Sequence, residues 1–454
     1  MPLKLYNTFG RKKQVFKPLK KGQVGIYSCG PTVYLYQHIG NLRSYIFPDI
    51  LKRVLMYKGY KVKHVMNVTD VGHLTSDADK GEDKIEQAAK REGKKAEEIA
   101  DYYLKIFKKD LEKVNVIEPD IWPKATEHIK EQIDLIKKLE KKGFTYKTND
   151  GIYFDSSKDK NYGKLAKLKK EGLKAGKRIA IGEKKHKTDF ALWKFSEKLG
   201  VRQQEWKSPW GVGFPGWHIE CSAMSSKYLG QPFDIHTGGE DHVPIHHTNE
   251  IAQSENAAGK KLANYWLHGA FLKFFGGKMS KSKGEITRLS DLEEQGHDSL
   301  DFRYFMLTTH YRKQLNFSRE NLGGAKRSRN RLKNIIKELK DDKKINEKYL
   351  KAFELAMDDD LDTVTALQIL WAMLRDEKAK GKIRTIKEMD KVFGLDLLKV
   401  EKVEIPNEVL QLFEKRNKAR ADRSWGKADD IRKKINKLGF RIDDTKEGSK
   451  VSKI

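Results

Sequence analysis

Two short strings and a pair of thiols carry most of the chemistry this sequence offers. His38-Ile39-Gly40-Asn41 follows a segment of strand character and precedes a long apolar-periodic stretch, which places it where a helix begins. Unpaired backbone N–H groups and the helix dipole favour bound phosphate at such a point. The imidazole of His38 and the amide of Asn41 add donors as charge builds on a nucleotide's phosphates, and Gly40 lets the backbone approach closely. The same residues also make an ordinary helix cap, and the string alone leaves both readings open. Lys278-Met279-Ser280-Lys281-Ser282 lies between Gly276-Gly277 and Lys283-Gly284 and reads as a loop with two cations three residues apart. Such a loop closes over a triphosphate, where Lys278 and Lys281 neutralise the departing pyrophosphate. A solvated lysine loop has the same composition.

A third grouping has the character of metal ligands. His246 and Glu250 are four residues apart, so on a helix they share one face, where they chelate one ion or simply hydrogen-bond. The chain has two cysteines, Cys29 and Cys221. That number excludes a disulfide framework and fits a reducing compartment. An isolated cysteine is by default a small buried hydrophobe.

These groups need a scaffold. Residues 24–29 read as a strand, with a turn at Gly30-Pro31. Leu42, Tyr45, Ile46, Ile50, Val54 and Leu55 then recur at helical spacing, and residues 61–69 form a second β-type run. This is a strand–helix–strand unit of a doubly wound parallel sheet, hence an α/β fold. Pro48 predicts a kink or a late helix start. Residues 89–142 are helical and heavily charged, and residues 143–205 are irregular and Gly- and Lys-rich, as in an insertion. Apolar, glycine-rich segments return over 206–266, and 320–400 are amphipathic helical patterns. The part after Pro406 reads as a small helical unit, and there are no repeats. With 454 residues, 38% of them hydrophobic, the chain can bury several cores. Ninety-two Lys and Arg against 64 Asp and Glu give a net charge of +28. This attracts polyanions such as nucleic acid, although evenly spread lysine also suits a solvated surface. Residues 1–20 hold no apolar run long enough for a signal sequence or membrane span, so a cytoplasmic protein is expected.

Read together, the two strings resemble the signature pair of class I aminoacyl-tRNA synthetases, and nearly the whole chain resembles the cysteinyl-tRNA synthetases. The likeness is most specific in Tyr27-Ser28-Cys29-Gly30-Pro31-Thr32-Val33-Tyr34, in residues 216–224 and in Phe233-Asp234-Ile235-His236-Thr237-Gly238-Gly239-Glu240-Asp241-His242. It implies a Rossmann-like, doubly wound catalytic domain at 1–120 and 206–265, split by a connective insertion at 121–205. A signature-loop and stem-contact region would follow at 266–322, a helical bundle at 323–400 and an anticodon-binding unit at 401–454. The implied reaction is that of a cysteine–tRNA ligase. L-cysteine and ATP, with Mg²⁺, give cysteinyl-adenylate, and the 3′ end of tRNA(Cys) takes the acyl group.

By the same resemblance Cys29, Cys221, His246 and Glu250 hold one Zn²⁺ that selects the substrate thiol. No editing activity is then expected in the insertion. His38, Asn41, Lys278 and Lys281 are the expected catalytic residues. They bind ATP with Gly40, Gly238, Gly239 and Asp241, while Thr69, Trp217 and His236 surround the cysteine. Asn41 stands where the commoner form has a second histidine. Arg420, Trp425, Asp429 and Asp444 are expected to stack on or hydrogen-bond unpaired anticodon bases, although residues 449–454 lack the further tryptophan of many relatives. A monomer without a membrane partner is expected. The alternatives are a cysteine ligase acting on an amino sugar, of the mycothiol-pathway type, and a non-catalytic, zinc-stabilised RNA-binding protein. The anticodon-like end argues against the first, and intact His38, Lys278 and Lys281 against the second.

Overall fold

The computed structural model describes residues 1–454 apart from 72–73, 77–79, 169–182, 275–286, 400–405, 446–447 and 454. It contains two compact units, Met1–Leu397 and Leu398–Ile454.

A four-stranded parallel sheet lies at the heart of the first unit, in the order Ala263–Gly269, Phe233–Gly239, Gln23–Ser28, Lys61–Met66. Helix Ile39–Tyr57 crosses from Gln23–Ser28 to Lys61–Met66, and helix His246–Ala258 crosses from Phe233–Gly239 to Ala263–Gly269. The two halves wind outward from the middle pair of strands in opposite directions. That reversal opens a crevice beyond the strands' carboxyl ends, where Cys29, Gly238 and Gly239 lie. Helix Ile39–Tyr57 contains Pro48 and starts at Ile39, not late as Pro48 suggested. Its residues from Tyr45 to Leu55 are all buried, and this packing outweighs the local cost of about 3 kcal/mol for an interior proline.

The expected irregular stretch turns out to hold most of a second sheet. Antiparallel strands Gly213–Pro215, Phe190–Phe195, Gly151–Phe154 and Thr145–Lys147 pair in that order. Phe154, Phe190 and Trp193 pack with Ile136 and Leu139 of helix Ile129–Lys141. Strands of three to six residues are too short to display a period of two. Helices Ser299–Leu307, Arg319–Lys337, Glu347–Asp358, Thr363–Arg375 and Lys382–Phe393 complete this unit. Among the described residues no helix is long and apolar enough to cross a membrane.

A buried ion network ties helix Ile39–Tyr57 to this helical part. Asp49 accepts from Arg53 at 2.8 Å and from Arg303 at 2.5 Å. Arg303, itself 0% exposed, also donates to the carbonyls of Val114, Asn115 and Phe393. Arg303→Met is therefore expected to lower unfolding free energy by about 3–5 kcal/mol, since it strands part of a buried negative charge. Urea unfolding checks this against the exposed control Lys337→Met, expected within about 0.5 kcal/mol of the parent.

The second unit was expected to be helical and is only partly so. Helices Asn407–Ala421 and Trp425–Lys437 pack against a hairpin of Phe440–Thr445 and Gly448–Lys453. Phe440, Ile442 and Val451 join Val409, Ile431 and Ile435 in one core. Only three apolar residues mark the hairpin, which is why its alternation went unread.

Candidate active site and metal centre

The crevice is built where strand ends are stitched together. After strand Gln23–Ser28 comes Cys29, then Gly30, whose N–H donates to Asn67 Oδ1 at 2.9 Å. A Cβ at Gly30 would lie 1.7 Å from the Asn67 carbonyl oxygen, so only glycine allows the two strand ends this close. Thr69 N–H donates to the Pro31 carbonyl and Val33 N–H to that of Thr69, at 3.0 and 3.2 Å. The Thr69 side chain is buried and donates to Glu220 Oε2 at 3.1 Å.

His38 and Asn41 do form a helix cap. His38 Nδ1 accepts from the Asn41 N–H and Asn41 Oδ1 accepts from the His38 N–H, both at 3.2 Å. The cap fixes which atoms are left. Burial holds His38 below the ordinary histidine range, so the ring is neutral with Nδ1 accepting and its proton on Nε2. That N–H and the Asn41 side-chain NH₂ remain as donors. Ile39 N–H donates to the Thr287 carbonyl at 3.0 Å, placing Thr287 at the start of this helix. Lys278 and Lys281 lie outside the described residues.

On the neighbouring strand Gly238 and Gly239 are buried, and Asp241 is exposed in the turn Glu240–His242. A Cβ at Gly238 would meet the His242 and His247 rings at 2.7 Å. Gly238 and Gly239 thus bring a bare backbone edge to the crevice.

The four expected metal ligands converge. Cys29, Cys221 from helix Trp217–Leu229, and His246 and Glu250 from helix His246–Ala258 have ligand atoms all within 4.8 Å of one another. His246 Nε2 lies 3.0 Å from Glu250 Oε1, and Cys29 Sγ 3.9 Å from the same oxygen. Donors at 2.0–2.3 Å from a tetrahedral ion stand roughly 3.3–3.8 Å apart, so the set needs only small adjustments to take one. The Cys29 hydrogen bond lowers the Cys221 thiol to about 6, while burial pushes Cys29 up. Against the effect of burial, Glu250 and Cys221 raise His246 to about 10. Also against burial, His236 and His246 hold Glu250 well below the usual carboxylate range. The Cys221 thiolate and the Glu250 carboxylate, buried together, demand a positive charge beside them, which a proton on His246 or a divalent cation provides.

Trp217 and His236 stand beside this centre. The Trp217 ring is 4.7 Å from that of His246. His236 Nε2 is 3.0 Å from Glu250 Oε2, and its ring stacks on Trp266 at 4.6 Å. Sequence reasoning missed the imidazoles behind them. His218 Nδ1 shares a hydrogen bond with His246 Nδ1 at 2.9 Å. His247 Nε2 is 3.2 Å from Cys29 Sγ, and its Nδ1 is 2.7 Å from His268 Nε2. His268 Nδ1 meets Thr8 Oγ1 at 2.7 Å. Cys29, His236, His247 and Glu250 thereby form a second group within 4.8 Å. The i, i+3 spacing of His247 and Glu250 could have signalled it, but nothing local marks His268.

Within the second unit Trp425 is 58% exposed, the Arg420 guanidinium lies 5.9 Å from its ring centre, and Asp429 is exposed. Asp444 is engaged within the unit itself. Its carboxylate accepts from Arg416 at 2.6 and 2.9 Å, Arg420 at 2.7 Å, Arg432 at 3.1 Å and Ser449 at 2.5 Å. Arg416 above all holds it well below the usual carboxylate range. Here the acid organises three arginines.

A family model described as tRNA synthetases class I (C) catalytic domain matches residues 15–327, and the cysteinyl-tRNA ligase anticodon binding domain matches 402–450. The chain is 49% identical to cysteine–tRNA ligase 1 of Burkholderia lata, covering 99% of this chain and 97% of that one. It is 45% identical to the cysteine–tRNA ligase of Treponema denticola, with 98% of both chains covered. Its fold is similar to that of Mycobacterium tuberculosis methionyl-tRNA synthetase bound by methionyl-adenylate. The TM-score is 0.56 at 15% identity, over 82% of this chain and 90% of that one.

Proposed function

Because the chain belongs to the cysteinyl-tRNA ligases of class I, we propose that the crevice at the switch point of its parallel sheet activates L-cysteine with ATP. The overall reaction is ATP-dependent ligation of cysteine to tRNA. The observation that carries the site assignment is the meeting of Cys29, Cys221, His246 and Glu250 within 4.8 Å at that crevice.

In the first step the cysteine carboxylate attacks the α-phosphorus of ATP and pyrophosphate leaves. In the second the 3′-terminal ribose of tRNA(Cys) attacks the acyl carbon and AMP leaves. Neither step needs a protein nucleophile, since positioning and charge stabilisation suffice. His38 Nε2–H and the Asn41 amide donate to the phosphates, and Lys278 and Lys281 neutralise the pyrophosphate, with Mg²⁺ entering on ATP. Gly40 lets the phosphates approach the helix start. Gly238, Gly239 and Asp241 border the adenosine, and the bare backbone edge supports that role.

Thr69, Trp217 and His236 enclose the cysteine. Cys29, Cys221, His246 and Glu250 hold a zinc ion, a role supported by their mixture of soft sulfur, imidazole and carboxylate donors. When bound, the ion supplies a soft Lewis acid that lowers a thiol's pKa and prefers sulfur to a hydroxyl oxygen. His236 orients Glu250 through its Nε2 contact with Oε2, and His218 orients His246 through its second nitrogen. In the second unit Trp425, Arg420, Asp429 and Asp444 meet anticodon bases, and Asp444 also sets the arginines. The enzyme works as a monomer in the cytoplasm, and its two unpaired thiols support the latter. The amino-sugar ligase and non-catalytic alternatives are not favoured, given full-length cysteine–tRNA ligase relatives and a matching anticodon-binding domain.

Cysteine-dependent ATP–pyrophosphate exchange tests this reading. Exchange is expected with cysteine and not with serine, together with one zinc per chain by metal analysis. Removing zinc with a chelator should depress exchange more than about a hundredfold, and returning it should restore the rate. Exchange that is indifferent to zinc would remove the metal from cysteine selection.

A further inference from the structure

The loop leading into helix Ile39–Tyr57 carries an aromatic side chain that cysteine activation does not use. Tyr36 stands two residues before His38, and its hydroxyl meets that of Tyr102 at 3.1 Å. Tyr102 belongs to helix Ala96–Lys113 and is 43% exposed. Beneath them Tyr103 is buried, edge-on at 5.1 Å to both Tyr36 and Tyr102, with its hydroxyl donating to Glu92. The two outer rings are thus propped on a buried one and cannot fold inward.

Cations lie against both rings. The Arg288 guanidinium is 5.0 Å from the centre of the Tyr36 ring, held there by Asp291 at 2.9 and 3.1 Å. The Lys94 ammonium is 5.1 Å from the centre of the Tyr102 ring. Lys105 and Lys109 stand three and seven residues on from Tyr102, on the same side of the helix. They line a groove of about 660 Å³ in which Lys108 lies 4.7 Å over the face of Trp122. Two of the acids bordering this groove are already paired, Asp101 with Lys124 at 2.6 Å and Glu118 with Lys108 at 3.1 Å.

Half-open rings with cations over them, leading into a lysine-lined groove, make the surface that holds unpaired nucleotides. Bases stack on the rings and the cations take the phosphates. Position selects the nucleotide strand. Thr287, adjoining Arg288, accepts from Ile39 N–H, so Arg288 and Tyr36 both border the start of the helix assigned to ATP. The 3′-terminal ribose must reach the same place in the second step, and it arrives on an unpaired strand. Resting on the ligase reading above, we propose that Tyr36 and Tyr102, with Arg288 and Lys94, form the platform that receives the unpaired 3′ end of the tRNA. The groove along helix Ala96–Lys113 takes the phosphates behind it.

Tyr102→Ala and Tyr36→Leu test the platform in the full-length enzyme. Cysteine-dependent pyrophosphate exchange should stay within about twofold of the parent, while kcat/KM for tRNA falls about 5- to 100-fold, as expected for a lost base stack. Affinity for tRNA and for the same tRNA lacking its unpaired 3′ nucleotides, at one salt concentration, completes a double cycle. The parent should bind the shortened tRNA more weakly, and the variants should bind both forms alike. Unchanged charging, or a loss that persists in full with shortened tRNA, would overturn the proposal. So would a parallel fall in exchange, which would make the tyrosines supports of the activation site. An absence of cysteine-dependent exchange in the parent would instead sink the ligase reading itself.

Discussion

The Cys221→Ser enzyme is expected to lose bound zinc and cysteine activation together, each by more than about a hundredfold, while its ATP site survives. Removing even a residue behind a metal ligand costs about 10- to 100-fold in affinity or activity, and losing a ligand outright costs more. A hydroxyl is a poor replacement, because it stays protonated where the Cys221 thiol, lowered to about 6, gives a thiolate. The loss should be local, since His38, Asn41, Gly238 and Gly239 come from other strand and helix ends. Metal analysis and equilibrium binding of an ATP analogue separate the two sites. X-ray absorption on the parent should show two protein sulfurs on zinc at about 2.3 Å and a third when cysteine is added. If no third sulfur appears, zinc is structural, and serine must be rejected by some other means.

Lys281→Ala is expected to slow adenylate formation by about 10²- to 10³-fold, the usual cost of removing one group that meets transition-state charge. Cysteine affinity should barely move, because the lysine is needed only as pyrophosphate departs. Single-turnover measurement of adenylate formation, beside cysteine binding by calorimetry, distinguishes the two effects. An unaltered rate would remove this lysine from the mechanism. A matching rise in the cysteine dissociation constant would move its action to binding.

The sequence by itself determined the donors and their local order. The i, i+4 spacing of His246 and Glu250 was legible because one helix turn fixes it. The signature strings were legible because their chemistry lies in consecutive residues. The strand–helix–strand unit announced itself by periodicity, down to the helical spacing of Leu42, Tyr45, Ile46, Ile50, Val54 and Leu55 along helix Ile39–Tyr57. Only tertiary structure decided which distant groups meet. Cys29 reaches His247 because strands Gln23–Ser28 and Phe233–Gly239 pair in parallel, with Ser28 opposite Thr237. His268 enters from yet another strand. That register is set by burial on both faces of the sheet, which no local pattern encodes. The same holds for Asp444, which the resemblance places among the base readers and around which the fold brings Arg416, Arg420 and Arg432. Pro48 makes the converse case. The local cost was legible, but the packing that overrides it depends on contacts made by the whole sheet and the helices around it.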